Sequence, residues 1–428
     1  MLRLALVGVS GFADYHYREL LALREAGLIR IAAVTVINQE EEAGKCRLLR
    51  ESGCAVYDNY PRMLAEKGGE IDLCVIPTGI HLHASMTIEA LRAGCHVLVE
   101  KPAAATVEEV ARMEEEERKS GRSVAVAYQH LYAPEVMRMK RMLLEGKIGR
   151  PLAVKGLGLW PRADHYYARN SWAGRLKCGD SWVLDSPFNN ALAHWLNLTC
   201  FLAGATAETA ANPRTVQAEL YRARAIESAD TACMRIETDE GPSLFFHVTH
   251  SCARTVDAEV EVRGTEGSLC WKRDGIFHLF DGGCERLLPV SSEEASRRHM
   301  YEAVLRRIAG VIGDEAFVCG LAIAGKQSLC ANAAFLSSAI HDIAPEFLLQ
   351  SGEAAARTVA IREIESICRT AFDRELLWSQ LAVPWARPGR IVPADELIGI
   401  QKLSLPTVLP GDRLFQEREP AAVYADKL

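Results

Sequence analysis

The chain has 428 residues, 49% of them apolar, 25% charged and 7% aromatic, with a formal charge of −7. That balance excludes a disordered chain, and at about 150 residues per domain the length makes two or three domains with cores of their own. The mild acidity argues against a nucleic-acid partner, because phosphate binding needs clustered Lys and Arg.

In chain order, residues 1–128 alternate strand and helix patterns. Leu2–Val9 is an apolar run suited to a strand covered on both faces, and Gly11–Gly27 then carries helical spacing through Tyr17, Leu20, Leu21 and Leu23. Ile29–Ile37 and Ile71–Ile76 read as strands, His83–Ala93 as a helix stopped by Gly94, and His96–Glu100 as the fifth strand. Thr106–Ser120 opens with a capping box, Thr106 and Glu109, and Ser123–Tyr128 closes the series. The run Glu114–Glu117 points in all directions around that helix and reads as a solvated face. Strands separated by helices imply a parallel, doubly wound sheet.

From about residue 150 the texture changes. Leu152–Leu159, Thr231–Thr238, Pro242–Thr249 and Ala258–Arg263 alternate as strands of a large, mostly antiparallel sheet. Helices are expected over Pro187–Ala203, Arg297–Val311 and Gly320–Ile340. The expected class is therefore α/β: a Rossmann domain over 1–128, an α+β domain with an open sheet over 129–345, and a C-terminal extension over 346–428. Trp378 and Trp385, set among apolar residues, suggest that this extension packs against the body or a partner.

The loop Gly8-Val-Ser-Gly-Phe-Ala-Asp-Tyr-His16 follows the first strand. Against G-x-G-x-x-G/A, Gly8 makes the tight turn, Ser10 stands at the second glycine with Gly11 beside it, and Ala13 fits the third place. A helix N-terminus behind such a loop binds a pyrophosphate. After the second strand Asn38 stands where a ribose-binding acid is expected, and no Lys or Arg occurs from Val36 to Gly44 to hold a 2′-phosphate. NAD is expected, with NADP as the other possibility. Glu100-Lys101-Pro102 ends the fifth strand, where doubly wound sheets bind ligands. A lysine there can hydrogen-bond a substrate hydroxyl and move its proton, and a cis X-Pro bond would fix it.

Three segments together, Gly8–His16, Pro77-Thr-Gly-Ile-His-Leu-His83 and Ala90–Pro102 with its Ala-Gly-Cys-His-Val-Leu-Val-Glu-Lys-Pro string, resemble the Gfo/Idh/MocA oxidoreductases. Gly146-Lys-Ile-Gly149 and Val262–Ser268 fit the same family, so the resemblance covers roughly residues 2–345. It implies NAD(P)-dependent dehydrogenases of sugars, sugar acids and polyols, with an open sheet that makes homodimers or homotetramers. The implied cofactor set is Gly8, Ser10, Gly11, Phe12, Ala13, Asn38, Thr78, His83, Glu100, Lys101 and Pro102, with Lys101 catalytic. The family pairs an Asp-x-x-x-His with this lysine. Here Asp185 matches, but Asn189 stands in the histidine's place, where an amide can orient a hydroxyl without exchanging its proton.

His194 lies five residues beyond Asn189, about 7.5 Å along a helix, so it reads as a helix residue facing Asn190. The substrate is expected against the polar-aromatic stretch after the first strand of the second domain: Trp160, Arg162, Tyr166, Arg169, Asn170 and Trp172, with Tyr128 and Asn190. Aromatic rings face sugar C–H groups, and Arg162 or Arg169 can clamp a carboxylate. His130 and Tyr132 are further candidates for the same pocket. A redox-neutral, NAD-using glycoside lyase and a non-catalytic binding relative remain alternatives, the latter suggested by Asn189 and Ser10.

Thirteen cysteines form no CxxC pair, and Cys74, Cys95, Cys200 and Cys233 lie in apolar runs. Free thiols in a reducing compartment are expected, not a disulfide framework or zinc site. His247 and His250 point to opposite faces of a strand, and no metal is expected. Met1–Gly8 is too short for a signal peptide and no stretch reaches the ~20 apolar residues of a membrane span, so a cytoplasmic protein is expected.

Overall fold

The computed structural model describes residues 1–397 apart from residue 282; the part of the expected extension over 398–428 lies outside the described residues. The first half forms one parallel sheet of β1 (Leu2–Val7), β2 (Ile29–Thr35), β3 (Ala55–Tyr57), β4 (Leu73–Ile76), β5 (His96–Val99) and β6 (Val124–Val126). Helices α1 (Ala13–Glu25), α2 (Ala43–Glu51), α3 (Tyr60–Lys67), α4 (His83–Arg92) and α5 (Val107–Ser120) make the crossovers. The strand order is β3-β2-β1-β4-β5-β6, so the winding reverses between β1 and β4 and opens a crevice at their C-terminal ends. Leu4, Ala5, Leu6, Leu73, Cys74 and Val75 are all fully buried, which is why these strands read as unbroken apolar runs. The Thr106–Glu109 capping box starts α5.

A short 3-10 turn, Gln129–Tyr132, and α6 (Pro134–Leu144) lead into the second half. Its strands are β7 (Pro151–Leu159), β10 (Pro213–Arg222), β11 (Thr231–Thr238), β12 (Ser243–Thr249), β13 (Val256–Gly264), β14 (Ser268–Lys272), β15 (Gly275–Phe280) and β16 (Gly283–Leu288). Between β7 and β10 come a single turn, α7 (Asp164–Tyr167), and a small hairpin of β8 (Lys177–Cys178) and β9 (Ser181–Trp182). The large sheet runs β16-β15-β14-β13-β7-β12-β11-β10; β7 is parallel to β12 and the other neighbours in this run are antiparallel. Helices α8 (Ala193–Ala203) and α10 (Leu321–Ser337) cover one face, and α9 (Glu293–Ile308) lies at the junction with the first half. The helix expected from Pro187 begins only at Ala193. Residues 187–192 wind as turns instead, after an irregular stretch with Leu184 at φ 52°, and these residues supply the site. The helix expected from Arg297 starts earlier, at Glu293, because the Ser292 hydroxyl accepts from Ala295 N–H.

The remaining described segment returns to the same sheet. β17 (Ile340–Asp342) pairs with β10 on its free edge, and β18 (Leu348–Ser351) and β19 (Thr358–Ile361) form a hairpin. α11 (Ile364–Arg374) then crosses β7 and β12, and β20 (Val392–Pro393) pairs with β10. Phe372, Trp378 and Trp385 bury themselves against Leu157, Leu159, Tyr221 and Cys233 on the sheet's outer face. Polar contacts sew the segment down: Lys155 Nζ sits 4.6 Å from the Phe372 ring centroid and 3.1 Å from Glu261, and His247 Nε2 donates to the Leu376 carbonyl at 2.9 Å. Arg263 pairs with Glu375, and Arg369 with Glu259. The open face expected for a second copy is thus covered over β7, β10, β11 and β12 by the chain itself. Alternation along a strand tells which side chains share a face, not what lies on it.

Candidate active site

At the end of β1 the Gly8 N–H donates to the Thr35 carbonyl at 2.8 Å, and φ of 85° there favours glycine. A Cβ built on Gly11 would meet nothing within 4 Å, so the space ahead of the loop is open. α1 begins after Phe12 with no side-chain cap, leaving its positive end free for an anion. The half-exposed Phe12 ring rests on Tyr15 and His16. At the end of β4 the buried Thr78 hydroxyl has no partner within the described residues. An open glycine turn, an uncapped helix end and an orphaned hydroxyl fit a dinucleotide. Asn38 lies just after β2 and donates to Glu41. The first cation beyond it, Lys45, donates to the Val9 carbonyl at 2.6 Å and pairs with Asp14 and Glu42.

Glu100 and Lys101 follow β5 directly. Burial pushes the Glu100 carboxyl up, but the His16 hydrogen bond and the charges of His16 and Lys101 outweigh it and hold it below the usual range. His16 Nε2 lies 3.0 Å from Glu100 Oε1, and its Nδ1 lies 2.7 Å from the hydroxyl of Tyr301 on α9. The Lys101–Pro102 bond is cis. His83, at the start of α4, braces this turn: Nδ1 is 2.8 Å from the Pro102 carbonyl and Nε2 is 3.1 Å from the Thr78 carbonyl. Burial depresses its protonation, so the neutral ring donates to one carbonyl at a time.

The second half meets this lysine with Asn190. Lys101 Nζ donates to the Asn190 side-chain oxygen at 2.9 Å and to its carbonyl at 3.1 Å, and Asn190 Nδ2 donates to Asp185 Oδ1 at 2.7 Å. Gly174 N–H and Arg169 face the other Asp185 oxygen, at 2.6 and 3.7 Å. Desolvation lowers the Lys101 pKa, opposed by Glu100 and Asp185, with Arg169 lowering it further. Desolvation also raises that of Asp185. Both groups are thereby drawn toward their neutral forms, which suits a Lys101 amine that takes a proton itself, while the Asn190 amide, which exchanges none, fixes its place relative to Asp185.

Asn189, expected beside the lysine, is not there. It is fully buried, donates to the Val183 and Leu184 carbonyls and accepts from Gln327. Its amide clamps the turn while its neighbour faces the site, because adjacent residues of a turn point in different directions. Tyr128 is likewise fully buried, its hydroxyl donating to Gln327 at 3.0 Å, so it supports the wall without presenting a polar group.

The polar-aromatic stretch lies on the far side of Asp185. The Tyr166 ring centroid lies 3.7 Å from the Arg169 guanidinium and 4.7 Å from that of Arg162, and Arg162 also lies 5.6 Å from the Trp160 ring. Asn170 does not reach inward; its side-chain oxygen accepts from Trp172 and Ala173 N–H and shapes the turn. Trp172 stacks under Arg169.

Behind Asn190 a ring cluster appears that the sequence only partly signalled. His130 packs against His194, Trp195 and Trp271 with centroids 5.3, 5.5 and 5.6 Å away, and Trp195 meets Trp160 at 5.0 Å. All four of His130, His194, Trp195 and Trp271 are more than nine-tenths buried. Among the described residues His194 Nδ1, Trp195 Nε1 and Trp271 Nε1 have no hydrogen-bond partner, and the Glu293 carboxylate lies 3.5 Å from His130 Nε2.

Residues 2–128 match the oxidoreductase family with an NAD-binding Rossmann fold, and residues 136–270 match the GFO/IDH/MocA C-terminal domain. D-Xylose dehydrogenase of Paenarthrobacter nicotinovorans is 26% identical over 290 residues, 63% of this chain and 73% of that protein. Levoglucosan dehydrogenase in complex with NADH superposes with a TM-score of 0.65 at 20% identity, over 78% of this chain and 95% of that one. The WlbA dehydrogenase of Bordetella pertussis, in complex with NADH and UDP-GlcNAcA, gives a TM-score of 0.63 at 20% identity over the same shares, 78% and 95%. At that identity the likeness is one of fold. With both domains matched in order, the chain belongs to the Gfo/Idh/MocA oxidoreductases and carries their NAD-binding Rossmann domain.

Proposed function

We propose that the protein oxidises a hydroxyl of a sugar, sugar acid or polyol, or reduces the matching ketone, with NAD as the preferred partner. The observation that carries this reading is the Lys101 ammonium held at 2.9 Å by Asn190, itself bonded to Asp185, at the mouth of the dinucleotide crevice. A dinucleotide held by the Gly8–Ala13 loop and the cis Lys101–Pro102 turn would supply the hydride acceptor for the substrate carbon. The Lys101 amine, once neutral, takes the hydroxyl proton as the carbonyl forms, and Asp185 stabilises the resulting ammonium through Asn190. Arg169 and the Gly174 N–H hold the Asp185 carboxylate in place. Preference for NAD rests on Lys45, the nearest cation after β2, being engaged by Val9, Asp14 and Glu42 and so unavailable to a 2′-phosphate. The thirteen free thiols, of which only Cys284 is exposed, support a reducing, cytoplasmic setting.

The test is NADH formation by purified protein over a panel of sugars, sugar acids and polyols, with Lys101→Met alongside. Turnover that survives Lys101→Met would overturn the assigned mechanism. Cofactor binding with sugar conversion but no net NADH would favour a redox-neutral reaction instead.

A further inference from the structure

Resting on that reading of Lys101, we propose that Tyr301 of α9 is a positioning residue for the reaction: through His16 it holds the Glu100 carboxylate behind the lysine, so that the substrate half acts on Lys101 from two sides.

The contacts cross both halves of the chain. The Tyr301 hydroxyl lies 2.7 Å from His16 Nδ1, His16 Nε2 lies 3.0 Å from Glu100 Oε1, and Glu100 Oε2 accepts the Lys101 N–H at 3.1 Å. All three side chains are buried. Two flanking contacts seat α9 on α1: Arg298 pairs with Glu19, and the Arg297 guanidinium lies 5.1 Å from the Tyr15 ring centroid. From the other side the same second half meets Lys101 Nζ with Asn190.

Proton bookkeeping gives these contacts a direction. Glu100 is held as a carboxylate, which only accepts, so His16 donates to it through Nε2. Burial and the charges of Glu19 and Glu100, against that of Arg297, keep the Tyr301 hydroxyl protonated. That hydroxyl has no other hydrogen-bond partner among the described residues, so it donates to His16 Nδ1. Tyr301 thereby fixes the tautomer in which His16 serves Glu100. Without it Nδ1 is a buried acceptor left unmet, and the Nε2–H form loses its advantage.

The consequence reaches the lysine amine. Burial favours the neutral acid at Glu100, and the His16 hydrogen bond is the largest influence opposing it. His16 and Lys101 face Glu100 directly, with His83, Tyr128 and Tyr301 also in its field. Desolvation lowers the Lys101 pKa; among the charges facing it Glu100 raises it most, ahead of Asp185, while Arg169 lowers it. Loosening Glu100 therefore makes Lys101 give up its proton at lower pH.

The experiment titrates the Lys101 amine by nitrogen-15 NMR in the full chain carrying labelled lysine, the signal being identified by its loss in Lys101→Met. Wild type, Tyr301→Phe and Glu100→Gln are compared from about pH 6 to about pH 11. Tyr301→Phe keeps the ring and removes only the hydroxyl. The Lys101 titration is expected to move down by on the order of one unit in Glu100→Gln and about half a unit in Tyr301→Phe. The pH profile of NADH formation should follow in the same order. A tyrosine with only a packing role would lower Tm and leave both titration and profile in place. In wild type, labelled histidine should show the His16 ring protonated at Nε2 and bare at Nδ1, a readout that needs no variant to fold. An unmoved or upward-moving Lys101 titration in Tyr301→Phe, or a proton on His16 Nδ1, overturns the proposal. Shifts as expected without NADH formation from any sugar, sugar acid or polyol would uphold the contact and strike the dehydrogenase reading instead.

Discussion

The Lys101 ammonium donates to the side-chain oxygen of Asn190 at 2.9 Å, and the amide nitrogen of that same side chain donates to Asp185 at 2.7 Å. One asparagine thus joins a cation at the end of β5 to a carboxylate of the second half, while its neighbour Asn189 points into the core. Asn190→Ala should lower kcat by about 10–100-fold with NADH affinity unchanged, the loss expected when a proton-handling group is set free. Asn189→Ala should do the reverse, costing about 1–3 kcal/mol in urea unfolding with kcat nearly intact. Equal kinetic losses in both variants would contradict the geometry.

The rate of oxidation should rise with pH as Lys101 loses its proton, with an apparent pKa below 10.5, since burial lowers it. The Asp185 charge raises that pKa and the Arg169 charge lowers it. Asp185→Asn should therefore move the profile to lower pH and Arg169→Gln to higher pH, each by on the order of one unit. Shifts of the same sign in both variants would mean that another group titrates.

Burial lowers the His247 pKa to about 4 and that of His250 to about 3. Both stay neutral in the folded chain while the unfolded chain protonates near 6.5, so the unfolded state binds more protons and stability falls as pH drops. For His247 the window runs from about 6.5 down to about 4 and is worth about 3 kcal/mol. His247→Gln should lower stability at pH 7.5, by losing the bond to Leu376, yet flatten its decline toward pH 4.5. Urea midpoints across that range for both proteins check it.

Trp378 is fully buried beneath the outer face of the large sheet, in ring contact with Tyr221 and Trp385. Trp378→Ala should cost about 3–5 kcal/mol. Ending the chain after residue 343 should bare Leu157, Leu159 and Tyr221 and produce self-association, read by light scattering and dye binding. The full chain should show protection of β7 and β12 from hydrogen exchange that does not change on dilution. A dilution-dependent loss there would mean that a second copy contributes to that cover.

Much of the frame was legible because its signals are local. Alternation marks Thr231–Thr238 to the residue, and the Thr106–Glu109 box sets the start of α5. The Lys101 turn was equally legible, since a strand end and an X-Pro bond are both written in adjacent residues. What failed was direction within a turn: Asn189 and Asn190 are neighbours, and nothing in the adjacent residues says which of them faces the lysine. Contacts between distant segments had no signal at all. Nothing near His16 announces Tyr301, 285 positions on, and nothing near Tyr128 announces Gln327. That the extension packs on something was legible in Trp378 and Trp385, but which face of which sheet they cover was not, because apolar residues do not say against what.

That cover also fixes a sequence in time. A chain made from its N-terminus has β1 through β16 in hand before residues 340–397 emerge, so the large sheet waits with one apolar side wet and the outer edge of β10 unpaired. Both are closed only by the last described stretch: β17 and β20 on that edge, α11 and the two tryptophans on that side. Until then the nascent protein offers the kind of surface that chaperones hold and proteases reach. A ribosome that stops early therefore releases a product with an intact dinucleotide half and an unfinished back, which is self-marking as incomplete.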